Sequence, residues 1–140
     1  MSLELKQCRG IRGATTVPVN DRTIILDRTR ELLLAIAEAN DLLKEDICSL
    51  FFTTTTDLTA EYPALAARQL GWVDSALLCA HEMQVPEGLD HCIRVLIHWN
   101  TTKPASALHH VYIRGAEVLR PEHSLDAIHV SANSNDGGLP

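Results

Sequence analysis

The alternation of apolar and polar residues sorts the chain into short strands and two main helices before any chemistry is considered. Residues 8–17 alternate, with Ile11, Gly13 and Thr15 on one side and Arg12, Ala14 and Thr16 on the other, which predicts a strand. Pro18 ends it, and Asn20 and Asp21 supply oxygens able to cap a helix. From Arg22 to Asn40 the period lengthens: Ile25, Thr29, Leu32, Leu33 and Ile36 share one helical face, with Asp27, Arg28, Arg30, Glu31 and Glu38 mainly on the rest.

A connection over 41–46 leads to an apolar strand at 47–52, and the threonine-rich residues 53–57 read as a loop. Pro63 suits the first turn of a second helix, 62–70, with Gly71 as its stop. Strands are predicted at 75–80, 92–100 and 110–113, with a helical turn at 104–109 before the last. The Ser-, Asn- and Gly-rich residues 131–140 read as a flexible tail behind a domain spanning 1–130. The pattern therefore predicts one α/β domain with a mixed five-stranded sheet. One long helix covers only one face of such a sheet, and a symmetric oligomer is the economical cover for the other.

Composition narrows the partners rather than the fold. The 140 residues allow one domain and one core, and 46% hydrophobic with 21% charged residues is ordinary for a globular protein. A net charge of -6 leaves no basic surface to displace counterions from nucleic acid, although a local arginine cluster would still hold a small anion. Cys8, Cys48, Cys79 and Cys92 form no CxxC pair, Met1 to Gln7 does not read as a leader, and no apolar run approaches bilayer length. The expected compartment is a reduced cytoplasm.

The residues suited to chemistry are arginines inside strands. Arg12 and Arg94 each interrupt an apolar strand pattern. A strand arginine ordinarily points to solvent, but two on neighbouring strands suit a shared anion site, because guanidinium forks bind carboxylates bidentately and stay charged at any working pH. Arg68 and Arg120 are further candidates, though a solvated helix face accounts equally well for Arg68. Glu82 reads as an exposed loop carboxylate or a site group, Tyr112 as a core aromatic or a pocket donor, and Cys79 as a structural thiol. No HExxH, GxSxG, P-loop or GxGxxG pattern occurs, so metal, nucleophilic and phosphate-binding chemistry lack support, and no cofactor is implied.

One run is specific. Arg9-Gly10-Ile11-Arg12-Gly13-Ala14-Thr15-Thr16-Val17 resembles the N-terminal signature of AroH-type chorismate mutases. Ordered matches follow: the Thr-Asp-Leu loop with the Pro63 helix ending at Arg68, Cys79 with Glu82-Met83, Cys92-Ile93-Arg94-Val95, His110-Val111-Tyr112, and Val118-Leu119-Arg120-Pro121. Together they cover residues 9–125.

The resemblance implies a cofactor-free homotrimer with a pseudo-α/β-barrel core and active sites in the subunit clefts. It implies the Claisen rearrangement of chorismate to prephenate in phenylalanine and tyrosine biosynthesis. Arg94 would reach the ether oxygen of the breaking bond, Arg12 and Tyr112 would hold carboxylate, and Glu82 would meet the ring hydroxyl near Cys79. Tyr62 and Arg68 would come from the adjoining subunit. Leu78, Leu119 and Arg120 complete the expected substrate contacts. Two positions depart from the family: Leu65 stands where lysine is frequent, and Tyr62 where phenylalanine is. The alternative is a non-catalytic trimer that binds a carboxylate metabolite in the same cleft; a hydrolase acting on imines with a water near Glu82 is a weaker third.

Overall fold

A computed structural model describes residues 5–128; the tail expected at 131–140 lies outside the described residues. The chain runs β1 (Gln7–Thr16), α1 (Arg22–Asn40), β2 (Ile47–Thr54), α2 (Ala64–Gln69), β3 (Ala76–His81), β4 (Cys92–Thr101) and β5 (Val111–Tyr112), with short 3-10 turns between. The strands form one mixed sheet in the order β3-β2-β4-β1-β5. β4 is antiparallel to both β1 and β2, while β3 joins β2 and β5 joins β1 in parallel.

α1 begins where Asp21 accepts the N–H of Ile24 at 3.1 Å and ends at Asp41, which adopts a left-handed conformation (φ 52°). Asn20, also a capping candidate, instead ties the chain to the loop at Thr59 and Ala60, accepting both N–H groups at 3.0 Å. The buried face is Ile25, Leu26, Thr29, Leu32, Leu33, Ile36 and Asn40, the predicted stripe plus Leu26 and Asn40. It lies on the sheet face carrying Ile11, Gly13, Leu50, Phe52, Val95 and Ile97. Gly13 is what permits this close approach. A Cβ there would stand 2.7 Å from Ile36 Cδ1, 3.0 Å from the Val111 carbonyl oxygen and 3.2 Å from Leu32 Cδ1.

Asn40 locks the C-terminal end of α1 to the segment before β5. Its amide donates to the carbonyls of Ile36 (2.8 Å) and His109 (2.9 Å), and its oxygen accepts the His109 N–H at 2.8 Å. At α2, Gly71 takes the stop role (φ 85°): its N–H reaches the Arg68 carbonyl, and that of Trp72 reaches Ala67, the paired bonds of a Schellman end.

Besides one-residue differences at β1, β3 and β4 and a last strand reduced from 110–113 to Val111–Tyr112, two boundaries bear on the site. β2 extends to Thr54 rather than stopping at Phe52, because Thr53 and Thr54 are paired on both sides, with Arg94 and Ile93 and with Ala80 and His81. β-Branched residues suit that doubly paired position better than a loop. α2 is shorter than predicted, leaving Tyr62 in the turn ahead of it. A helical turn from Leu125, capped where Ser124 Oγ accepts the Ala127 N–H at 3.2 Å, was not foreseen in the pattern.

Candidate active site

Strand register decides which side chains share the sheet face turned away from α1. Arg94 on β4 is opposite Ala14 on β1 and Thr53 on β2, and Ala14 is in turn opposite Tyr112 on β5. Arg12 lies two residues along β1 from Ala14, on the same face. The small Ala14 thus separates an arginine from a tyrosine, with a second arginine diagonal to both. The neighbour-strand arrangement predicted for Arg12 and Arg94 is present.

Arg94 leans toward Glu82, which follows β3. Its Nε is 3.6 Å from Glu82 Oε2, is buried, and has no hydrogen-bond partner among the described residues. That same carboxylate oxygen accepts the hydroxyl of Thr53 at 2.5 Å, and the Glu82 N–H donates to the Thr54 carbonyl at 2.7 Å. Thr53 therefore fixes the carboxylate from below. The sequence pattern missed it because its threonine run read as loop. The pair opens onto a cleft of about 400 Å³ lined by Asp57, Met83, Val85 and Leu89.

Asp57 builds the cleft's rim. Burial pushes its carboxyl upward, but the Thr55 hydroxyl at 2.5 Å and the His91 N–H at 3.0 Å outweigh this and leave it below the usual range. Under Arg94, the Cys92 thiol is pushed up by burial, against the pull of the guanidinium.

Across Ala14, Tyr112 is buried in a small apolar cluster with Cys92 and Ala116, with Leu119 packed against it. Arg120 follows, its Nε donating to Glu122 at 2.6 Å. The Arg12 backbone N–H donates to His110 Nδ1 at 2.9 Å, while its guanidinium has no carboxylate partner among the described residues. So Arg12, Glu82, Arg94, Tyr112, Leu119 and Arg120 gather on one face and at its edge.

Tyr62, Arg68 and Cys79 are elsewhere, and Leu78 shares the outward face but stands two strands away from Arg94. They line a separate cleft of about 430 Å³ with Leu65 and Leu77, at the edge strand β3. Tyr62 and Leu78 are 70% and 58% exposed. The Cys79 thiol is pushed up by burial against α2, opposed by a hydrogen bond at Ala64 and by the Arg68 charge. It points to the helix side of β3, away from the Glu82 carboxylate.

Residues 8–123 match the family described as chorismate mutase type I. The chain belongs to that family. A Thermus thermophilus protein named chorismate mutase AroH is 48% identical over 115 residues, covering 81% of this chain and 94% of its own. One of the same name from Bacillus subtilis (strain 168) is 43% identical over 118 residues, covering 84% and 93%. A solved chorismate mutase structure from Clostridium thermocellum superposes with a TM-score of 0.77 at 48% identity, covering 79% of this chain and 98% of that one. Membership makes the chain an isomerase with chorismate mutase activity. Among the described residues, no helix is long and apolar enough to cross a membrane.

Proposed function

We propose that chorismate is rearranged to prephenate in a cleft shared by two copies of the chain, assembled as a homotrimer in the cytoplasm. The observation that carries this reading is the division of the site residues: the arginine-rich set around Arg94 and the set around Tyr62 and Arg68 line different clefts of one chain. Each is half of a pocket. Among the described residues, the sheet face away from α1 has no helical cover and carries Phe51 and Leu78 exposed, which suits it to burial against a neighbour.

The reaction is unimolecular and pericyclic, so the site must select a compact conformer and stabilise charge growing on the ether oxygen. Arg94 supplies the fixed cation for that oxygen. Glu82, held by Thr53, faces the ring hydroxyl and keeps Arg94 oriented. Arg12, Tyr112 and Arg120, with Leu119 as apolar backing, hold carboxylate. The neighbour's Tyr62, Arg68, Leu78 and Cys79 close the far side. No proton is moved and no covalent intermediate forms.

The test is loss of chorismate absorbance with purified protein, with prephenate identified as product. Turnover in buffer containing chelator is expected. Absence of turnover at micromolar enzyme, with sedimentation showing an assembled trimer, would favour a binding protein for a carboxylate metabolite instead.

A further inference from the structure

Tyr112 and Arg120 pack against one side chain that is not among the candidate site residues. His123 ends the 3-10 turn Pro121–His123. Its ring centroid is 5.9 Å from that of Tyr112, tilted by 31°, and 4.8 Å from that of His110, edge-on. Its Nε2 is 3.4 Å from Arg120 Nη2 and 3.9 Å from Glu122 Oε1. The turn is anchored by the His123 N–H on the Arg120 carbonyl at 2.9 Å, and Tyr112 bridges to Ser124 in parallel.

A guanidinium only donates, so its contact with Nε2 uses that nitrogen's lone pair, and His123 is neutral there. The same holds for His110, whose Nδ1 accepts the Arg12 N–H. We propose that His123 is a positioning residue: neutral, it sets Arg120 and the Tyr112 ring toward the substrate carboxylate, and protonated, it withdraws them. This rests on the reading of Arg12, Tyr112 and Arg120 as carboxylate holders.

The switch follows from the neighbours. The groups facing His123 are Arg120 and Glu122 of its own turn, His110 and Tyr112 at β5, and Arg12 on β1, with His109 beside His110. A proton on Nε2 would place a second donor and a second cation against Arg120. Glu122, which now holds Arg120, becomes the available partner for the imidazolium, and Arg120 loses both of its tethers. Burial lowers the His123 pKa below the ordinary 6.5, with Arg120 and Arg12 adding to this and Glu122 opposing it. Burial, His123 and the surrounding arginines take His110 to about 4. The neutral state therefore prevails at pH 7.5 and is lost on acidification.

Steady-state kinetics with chorismate at pH 7.5 and pH 5 test this, since the substrate's carboxylates stay ionised throughout. The wild-type KM is expected to rise about three- to tenfold on acidification, the effect of losing one hydrogen bond, with kcat unchanged. His123→Gln, which keeps a polar atom near Nε2 but does not titrate, should hold KM within about twofold of the wild-type pH 7.5 value at both pH values. His123→Leu should raise KM at pH 7.5 and show no further rise. Equal thermal midpoints would exclude misfolding as the cause.

An acid rise in KM that survives in His123→Gln would overturn the proposal. So would an effect on kcat alone, or a wild-type KM that falls on acidification, which would make His123 a charged ligand of the substrate. Arg120→Ala separates the two layers. If it raises KM while the His123 variants do nothing, only the positioning role fails; if it leaves KM unchanged, the carboxylate site itself is misplaced.

Discussion

Replacing Arg94 by lysine keeps the charge and removes the fork, which isolates what the guanidinium geometry contributes. The Arg94 backbone is fixed between Ala14 and Thr53 in the sheet, so the shorter lysine cannot be advanced by shifting the strand. Its ammonium would stop near the position of the present Cζ, one bond short of the outer guanidinium nitrogens. Moving a unit charge from about 3 to about 4 Å from the developing oxyanion, at an effective dielectric near 20, loses about 1.4 kcal/mol. Added to the lost second donor, this predicts a fall in kcat of about 10²–10³. Arg94→Ala should fall further. Because the Arg94 side chain is 43% exposed and makes its ion pair at 3.6 Å, folding should change by less than about 1 kcal/mol. The assay is chorismate consumption at saturating substrate, with urea unfolding as control. Near-normal kcat in a folded Arg94→Lys enzyme would refute the electrostatic role.

Other consequences are separable. Gly13→Val should destabilise by about 2–3 kcal/mol or more in urea unfolding, because its Cβ meets Ile36 and the immobile Val111 carbonyl; a change under about 0.5 kcal/mol would contradict the packing. Asn40→Ala should cost about 2–4 kcal/mol, as both polar groups of the His109 backbone lose their side-chain partner. Stability should fall as pH drops from 6.5 through about 4, since the unfolded chain protonates His110 before the folded one does. The full shift is worth about 3 kcal/mol, and solvent screening of a half-buried ring reduces it to about 1–2; His110→Asn should flatten that limb. By contrast, kcat should be nearly flat from about pH 6 to 9, and a bell centred near 7 would indicate histidine acid-base catalysis.

The long-period elements were legible because their signals are local. The α1 stripe, the Asp21 cap and the Gly71 stop each follow from spacing or from one residue's backbone preference. The signature around Arg12 identified the family, and the two arginines inside strand patterns lie on neighbouring strands as expected. What was not legible depended on pairing at a distance. Thr53 and Thr54 become strand only because β3 and β4 flank them, and Thr53 reaches Glu82 only through that register. Asn40 is unremarkable in sequence yet holds the backbone of a residue 69 positions away. His123 meets Tyr112 through a turn no periodicity announces. The division of the site into two clefts is likewise a property of the folded chain.

That division gives the most direct test of the account. Arg94→Ala disables one half of the proposed site and Arg68→Ala the other, so each homotrimer should be strongly impaired. In trimers refolded from an equal mixture, a site is intact when its Arg94 half comes from the Arg68→Ala chain and its Arg68 half from the Arg94→Ala chain. Random assembly makes about one site in four intact, so the mixture should recover about a quarter of wild-type activity. Activity no greater than the mean of the two parents, in a mixture shown to form mixed trimers, would contradict a site shared between subunits.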